Sequence, residues 1–299
     1  MMTEPGWMQG PPRRILLATD MSCRCDRALD RAVQLAGEWD AKLLVVHAVA
    51  PVDTDQDSRR FWDMPSWRQP PDRVKAVRER LYMDLLDHPV NIDVHVDVGD
   101  PAEIILAAAK SAGSDLIITG VARDEPFGRR ILGDTVDRLM NKTPAPLLIV
   151  RSRPRHAYRN IVVATDFSPS SRHALEAAVR FFPKAAFTLF TGYEIPFAGI
   201  LDRVDIRREL RHMEDDACGK FLKEANVDPA LVSRMGKLIE YGAPEMVLRN
   251  YAQEKPVDLT VVGSHGGGAI YHIVIGSTAR RIIDAVPGDV LLVREPKAG

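Results

Sequence analysis

Asn160-Ile-Val-Val-Ala-Thr-Asp-Phe-Ser168 restates Arg14-Ile-Leu-Leu-Ala-Thr-Asp-Met-Ser22 at an offset of 146 residues. Each stretch is a short aliphatic run that closes on Thr-Asp and a serine. A run that is apolar without strict alternation reads as a strand covered on both faces. Ser168-Pro169 then offers a helix N-cap with proline in the first helical position. Three further matches follow in the same order, all at an offset of 143. They pair Gly99-Asp100-Pro101 with Gly242-Ala243-Pro244, Asp115–Gly120 with Asp258–Gly263, and Pro144–Arg151 with Pro287–Arg294. The period is one domain long, far beyond that of a solenoid. The chain therefore divides into 1–153 and 154–299, with a polar linker near Ser152 to Ala157.

Within the first half the apolar runs are Ile15–Thr19, Leu43–His47, Ile92–Val96, Leu116–Thr119 and Leu147–Val150. Amphipathic stretches such as Cys25–Glu38 and Pro101–Ser111 lie between them. Asp100-Pro101-Ala102-Glu103 carries a cap, a proline and a first-turn acid. Alternating strands and helices predict a parallel sheet with right-handed crossovers. The fold class is α/β: two Rossmann-like domains, each a five-stranded parallel sheet with helices on both faces. The last strand, Val290–Val293, reads as a candidate edge through which a further homodimer could form. The segment from Val52 to Asp72, with Phe61, Trp62, Trp67 and three prolines, breaks the pattern. It reads as a loop whose aromatics fold back on the domain, or as a lid or partner surface.

Composition narrows the function classes. Of 299 residues, 45% are apolar and 27% charged, as in ordinary globular proteins. A net charge of −1 provides no field for nucleic acid or an anionic membrane. No run approaches the roughly 20 apolar residues of a membrane span, and Met1 to Arg14 lacks the apolar core of a signal peptide. Cys23, Cys25 and Cys218 make no disulfide framework, and Cys23 and Cys25 lack redox spacing. A cytoplasmic protein is expected.

A second pair of stretches carries the chemistry. The second half reads Gly263-Ser264-His265-Gly266, nine residues, then Gly276-Ser277-Thr278. The first half reads Gly120-Val121-Ala122-Arg123, nine residues, then Gly133-Asp134-Thr135. In an open parallel sheet, ligands bind beyond the carboxyl ends of strands at the switch point. Thr165-Asp166 ends the first strand of the second half there, and Val262 runs into Gly263 at the same end. Gly263 and Gly266 would let the backbone approach a ligand, and Gly276 would let the returning chain pack closely. A helix from Thr278 to Ala285 would aim free N–H groups and its dipole at the site. This is an anion cradle built from backbone. It is neither a Walker A loop, for want of Gly-Lys-Ser/Thr, nor the dinucleotide fingerprint, which follows the first strand. Asp166 would repel phosphate and suits a ribose hydroxyl or an adenine amine.

Ala164-Thr165-Asp166-Phe167-Ser168 together with Gly263-x2-Gly266-x9-Gly276-Ser277 resembles the universal stress protein family, over nearly the whole chain in two tandem copies. The resemblance implies a site for ATP, with Mg²⁺ as a candidate companion, and a two-fold pairing of domains that a tandem chain makes internally. It would place Asp166 and Gly192 at the base, Val262 and Gly263 at base or ribose, and Gly266, Gly276, Ser277 and Thr278 on the phosphates, with Ala164 and Thr165 also in the nucleotide site. Gly267-Gly268 stand where many members have a basic or bulky residue, so phosphate contact should lean on backbone.

The first-half counterpart, Asp20, Gly120, Arg123, Gly133 and Asp134, reads as degenerate. Arg123 replaces the second loop glycine, and Asp134 replaces the hydroxyl residue. A carboxylate ~4 Å from a phosphate charge costs about 1 kcal/mol in water and about 4 near a protein surface. Arg123, Arg129 and Arg130 could instead serve another anion, or pair with Asp124, Glu125 and Asp134. No catalytic constellation is readable. His265 and His272 flank the loop, and Asp166 and Ser277 could reach Mg²⁺. Three readings stand: an ATP-binding stress-response or regulatory protein, a slow ATPase or phosphoryl- or nucleotidyl-transfer enzyme, and a carrier or scaffold for another small molecule.

Overall fold

The computed structural model describes residues 9–22, 25–51, 72–121, 123–124, 130–193, 214–264 and 275–295. The side chains of 123–124, 130–131 and 214–215 are outside the description. The aromatic segment 52–71 also lies outside it, as do Cys23, Ala122 and Arg129.

The first half runs β1 (Arg14–Ala18), α1 (Asp26–Trp39), β2 (Lys42–Val49), α2 (Arg73–Leu85), β3 (Ile92–Val98), α3 (Pro101–Ala112) and β4 (Leu116–Thr119). A two-stranded hairpin of β5 (Arg123–Asp124) and β6 (Arg130–Ile131) follows, then α4 (Asp134–Lys142) and β7 (Leu147–Ile149). The second half runs β8 (Asn160–Ala164), α5 (Pro169–Phe181), β9 (Ala186–Tyr193), α6 (Gly219–Glu224), α7 (Pro229–Val232) and β10 (Gly236–Tyr241). It ends with α8 (Pro244–Glu254), β11 (Leu259–Gly263), α9 (Ser277–Ala285) and β12 (Asp289–Val293).

Each half is a parallel sheet, ordered β3-β2-β1-β4-β7 and β10-β9-β8-β11-β12. The order reverses beside β1 and β8, as doubly wound folds require. The two sheets join into one of ten strands because β12 pairs antiparallel with β7, Val290 opposite Ile149. This corrects the expected free edge at Val290–Val293. That strand is interior and fully buried, and the outer strands are β3 and β10. The burial agrees: β1 and β8 are buried beyond their first residue, whereas β3 and β10 are largely exposed.

Alternate residues along the strands feed two cores, each continuous through both halves. Ile15, Leu17, Ile161 and Val163 pack with α1, α2 and α5 on one face. Leu16, Ala18, Val162 and Val262 pack with α3, α4, α8 and α9 on the other. Trp39 of α1 lies 5.9 Å from Phe181 and 5.5 Å from Phe182, so aromatic packing crosses between halves.

The junction is also polar. Fully buried Asp289 accepts from the Arg151 and Ser152 backbone N–H groups at 2.8 and 2.9 Å and from the Tyr158 hydroxyl at 2.6 Å. Arg31 approaches the same carboxylate at 3.6 Å and stacks 4.0 Å over the Tyr158 ring. Burial, and then the Asp289 charge, push the Tyr158 hydroxyl well above its usual pKa. The stretch expected as a linker is therefore anchored where it begins. Arg151 donates to the Val286 and Ile283 carbonyls, and its repeat partner Arg294 donates to the Met140 carbonyl at 2.8 Å. Between α4 and α9, Arg280 pairs with Asp137 at 2.7 Å. These two positions are also repeat partners, so each faces its own copy across the pseudo-two-fold.

Candidate nucleotide site

The tips of β8 and β11 lie side by side, with Ala164 opposite Val262. Both side chains are buried in the core, so only their backbones are available to a ligand. Beyond Ala164 the chain makes a tight turn. Thr165 N–H donates to the Phe190 carbonyl at 2.8 Å, and the Thr191 hydroxyl donates to the Thr165 carbonyl at 2.9 Å. The Phe167 N–H donates to Thr165 Oγ1 at 2.8 Å, and the Ser168 N–H donates to Asp166 Oδ1 at 3.1 Å. These side-chain turns support Phe167 at φ +62°, in the left-handed region that an aromatic residue rarely occupies. Phe167 packs edge-on against Phe221. Ser168 Oγ then caps α5 by accepting from the Ser171 N–H at 3.3 Å.

The first half repeats this turn. Met21 has φ +57°, its N–H donates to Thr19 Oγ1 at 3.0 Å, and the Ser22 N–H donates to Asp20 Oδ1 at 2.9 Å. Thr-Asp-x-Ser is thus a turn-building unit in both halves. Asp20 and Asp166 are both exposed at their strand tips, with one oxygen directed inward to the turn.

The glycines divide by cause. A Cβ on Gly263 would come within 2.9 Å of the Ser170 backbone, so this residue is small because the start of α5 crosses it. A Cβ on Gly192 would come within 2.8 Å of Pro244 Cα, where α8 begins. Both positions are set by protein packing. Gly276 precedes α9 at φ −58° and ψ 142°, and its N–H donates to the Ser264 carbonyl at 2.8 Å. Its counterpart Gly133 has φ +87° and needs glycine for its backbone conformation. Gly266, together with His265, Gly267, Gly268 and His272, lies outside the described residues.

The two helix starts differ in charge. In α9, which begins one residue earlier than expected, Ser277 and Thr278 are exposed, no side chain caps the helix, and no acid stands in its first turn. Its initial N–H groups lack helical acceptors and present the positive end of the dipole. Both arginines of α9 are already engaged. Arg280 pairs with Asp137 and Asp284, and Arg281 pairs with Glu245 at 3.2 Å. In α4, by contrast, Asp134 and Asp137 stand in the first turn. The segment before it forms the β5–β6 hairpin, with Arg123 opposite Ile131. Gly120 is buried at the tip side of β4. The side chains of Arg123, Arg129 and Arg130, the alternative anion ligands expected of the first half, fall outside the described residues.

Among the described residues no group of three His, Cys, Asp or Glu side chains could hold a metal ion. No helix there is long and apolar enough to cross a membrane. Cys25 and Cys218 are buried and not disulfide-bonded. Burial pushes the Cys25 thiol up to about 11, which argues against a reactive thiolate. Ser171, Thr191 and Asn141 support the site although their sequence context did not single them out. Asn141 Oδ1, from the first half, accepts the Ile275 N–H at 3.3 Å, next to Gly276.

Comparison with known proteins agrees with this architecture. The model of the universal stress protein family matches twice, over residues 12–151 and 157–294. A universal stress protein of Mycolicibacterium smegmatis is 22% identical over 291 residues, covering 94% of this chain and 96% of its own. One from Thermus aquaticus is 35% identical over 139 residues, 46% of this chain and 98% of its own. The crystal structure of a universal stress protein from Archaeoglobus fulgidus shares the fold, with a TM-score of 0.67 at 18% identity, over 94% of this chain and 98% of that one. With two consecutive copies of the domain filling the sheet described above, the chain belongs to the universal stress protein family, as a tandem member.

Proposed function

We propose that the protein is a cytoplasmic stress-response or regulatory protein that binds ATP, or another adenine nucleotide, in its second half. The first half serves as a structural partner without a nucleotide of its own. The observation that carries this reading is the contrast between the two helix starts. The uncapped, acid-free start of α9 lies at the switch point and suits phosphate through backbone N–H groups. At the equivalent start of α4, Asp134 supplies a carboxylate of the protein's own. The exposed carboxylate of Asp166, steadied by the Ser168 N–H, suits a ribose hydroxyl or adenine amine. Mg²⁺, when present, would arrive with the phosphates, as it usually does in such sites. Cys25 and Cys218, buried and not disulfide-bonded, fit a reducing compartment.

Isothermal titration of the full chain tests the reading. One adenine nucleotide per chain is expected, and mass spectrometry of denatured protein identifies any that co-purifies. Two equal sites per chain, or none, would overturn it.

A further inference from the structure

The opposite half holds the two helix starts differently. Asn141, near the end of α4, accepts the Ile275 N–H at 3.3 Å through Oδ1. Its own amide donates to the Asp137 carbonyl at 2.8 Å, which fixes the orientation of the side chain. The Asp137 carboxylate in turn pairs with Arg280 at 2.7 Å. The residue before Gly276 and the fourth residue of α9 are thus both pinned from the first half. The Arg294 contact with the Met140 carbonyl draws the end of β12 to the same helix.

Two of these contacts are reciprocal: the Asp137–Arg280 pair ties the fourth residue of each helix, and Arg151 reaches the Ile283 carbonyl as Arg294 reaches that of Met140. The Asn141 contact has no counterpart at its own repeat partners. Asn141 corresponds to Asp284, and Ile275 to Leu132. Asp284 is turned within its own helix to Arg280, at 3.0 Å. The asymmetry is therefore the Asn141–Ile275 hydrogen bond, made from the acid-bearing helix α4 to the residue that leads into the acid-free start of α9.

We propose that Asn141 is a positioning residue for the phosphate end of the second-half site, acting across the junction without touching the ligand. This rests on the nucleotide reading above. A helix start binds an anion only when its free N–H groups converge on one point. Gly276, lacking a side chain, depends on its neighbours to hold that aim. Asn141 supplies the hold on the upstream side, and Asp137 supports it through Arg280.

The test compares ATP with adenosine on the full chain. Asn141→Leu removes the acceptor at similar volume. The loss of one ordinary hydrogen bond predicts ATP binding about fivefold weaker, with adenosine unchanged within about twofold. Asn141→Ser, which shortens the side chain without adding an apolar one, should show the same ATP-selective loss. Asp284→Ala, at the repeat-equivalent position, should leave both ligands as in the parent. Unchanged ATP binding in both Asn141 variants overturns the proposal. So does an equal loss of ATP and adenosine, or an Asp284→Ala effect as large as that of Asn141→Leu. A parent protein that binds neither ligand overturns the nucleotide reading itself; a parent that binds both but ignores Asn141 overturns only the clamp.

Discussion

Ser277→Asp transplants the first-half chemistry into the second half, and it should move two measurements in opposite directions. Ser277 is the exposed first residue of α9, and its repeat partner in α4 is Asp134. A carboxylate in the first turn interacts favourably with the helix dipole by about 0.3–1 kcal/mol. The melting temperature should therefore rise by about 1–3 °C. The same carboxylate would stand beside a bound phosphate. At ~4 Å the repulsion is about 1 kcal/mol in water and about 4 near a protein surface. ATP should then bind about 5-fold to about 1000-fold more weakly. Adenosine carries no phosphate and should bind as before, within about twofold. Calorimetric titration with both ligands and a thermal melt decide the matter. A variant that keeps the ATP affinity of the parent would refute the cradle at α9. A variant that loses adenosine as strongly as ATP would show a general disturbance instead.

Other expectations concern the frame around the site. Asp289→Asn removes a fully buried charge that serves Arg31, Tyr158 and two backbone N–H groups, and should cost about 3–5 kcal/mol by urea titration. A loss below about 1 kcal/mol would contradict its role at the junction. Gly263→Ala places a Cβ within 2.9 Å of the Ser170 backbone and should destabilise the fold by about 1–3 kcal/mol even without ligand; unchanged stability would return Gly263 to a ligand-only role. Cys25 ionises at about 11 in the folded chain against 9.0 ordinarily, so between these values the unfolded chain loses its proton first. Stability contributed by the protonated thiol is intact below pH 9 and should fall by about 1.4 kcal/mol per pH unit above it. Cys25→Ala should flatten that slope in urea midpoints taken from pH 8 to 10.5, and an identical slope would argue against a buried thiol.

The strands were readable because burial on both faces writes continuous apolar runs, and because the repeat printed most of them twice. The sequence places Arg14–Ser22 and Asn160–Ser168 in the same role, and the structure gives them the same turn, left-handed residue included. What was not readable is what one half does to the other. Val290–Val293 resembled an edge because its antiparallel partner β7 lies in the other copy. Ser152, where the linker was expected to begin, carries no local sign that its N–H reaches Asp289 of the other half. The glycines carry two meanings at once. Close approach by a ligand and close approach by a helix demand the same missing Cβ, so Gly192 and Gly263 read as binding residues while Pro244 and Ser170 account for their size. Asn141 is a single polar residue on an amphipathic helix, with no local signal that it reaches Ile275.

The pair of Asp137 and Arg280 bears on how the halves choose each other. At a true two-fold between identical domains, a residue beside the axis meets itself. Two first halves would bring Asp137 against Asp137, and two second halves Arg280 against Arg280. Only the unlike combination sets opposite charges together. A position that must be neutral or self-tolerant in a homodimer has become a matched plug and socket here. Once separated, the halves would recognise one another in preference to their own kind, so the divergence that distinguishes the two helix starts also commits each half to its covalent neighbour.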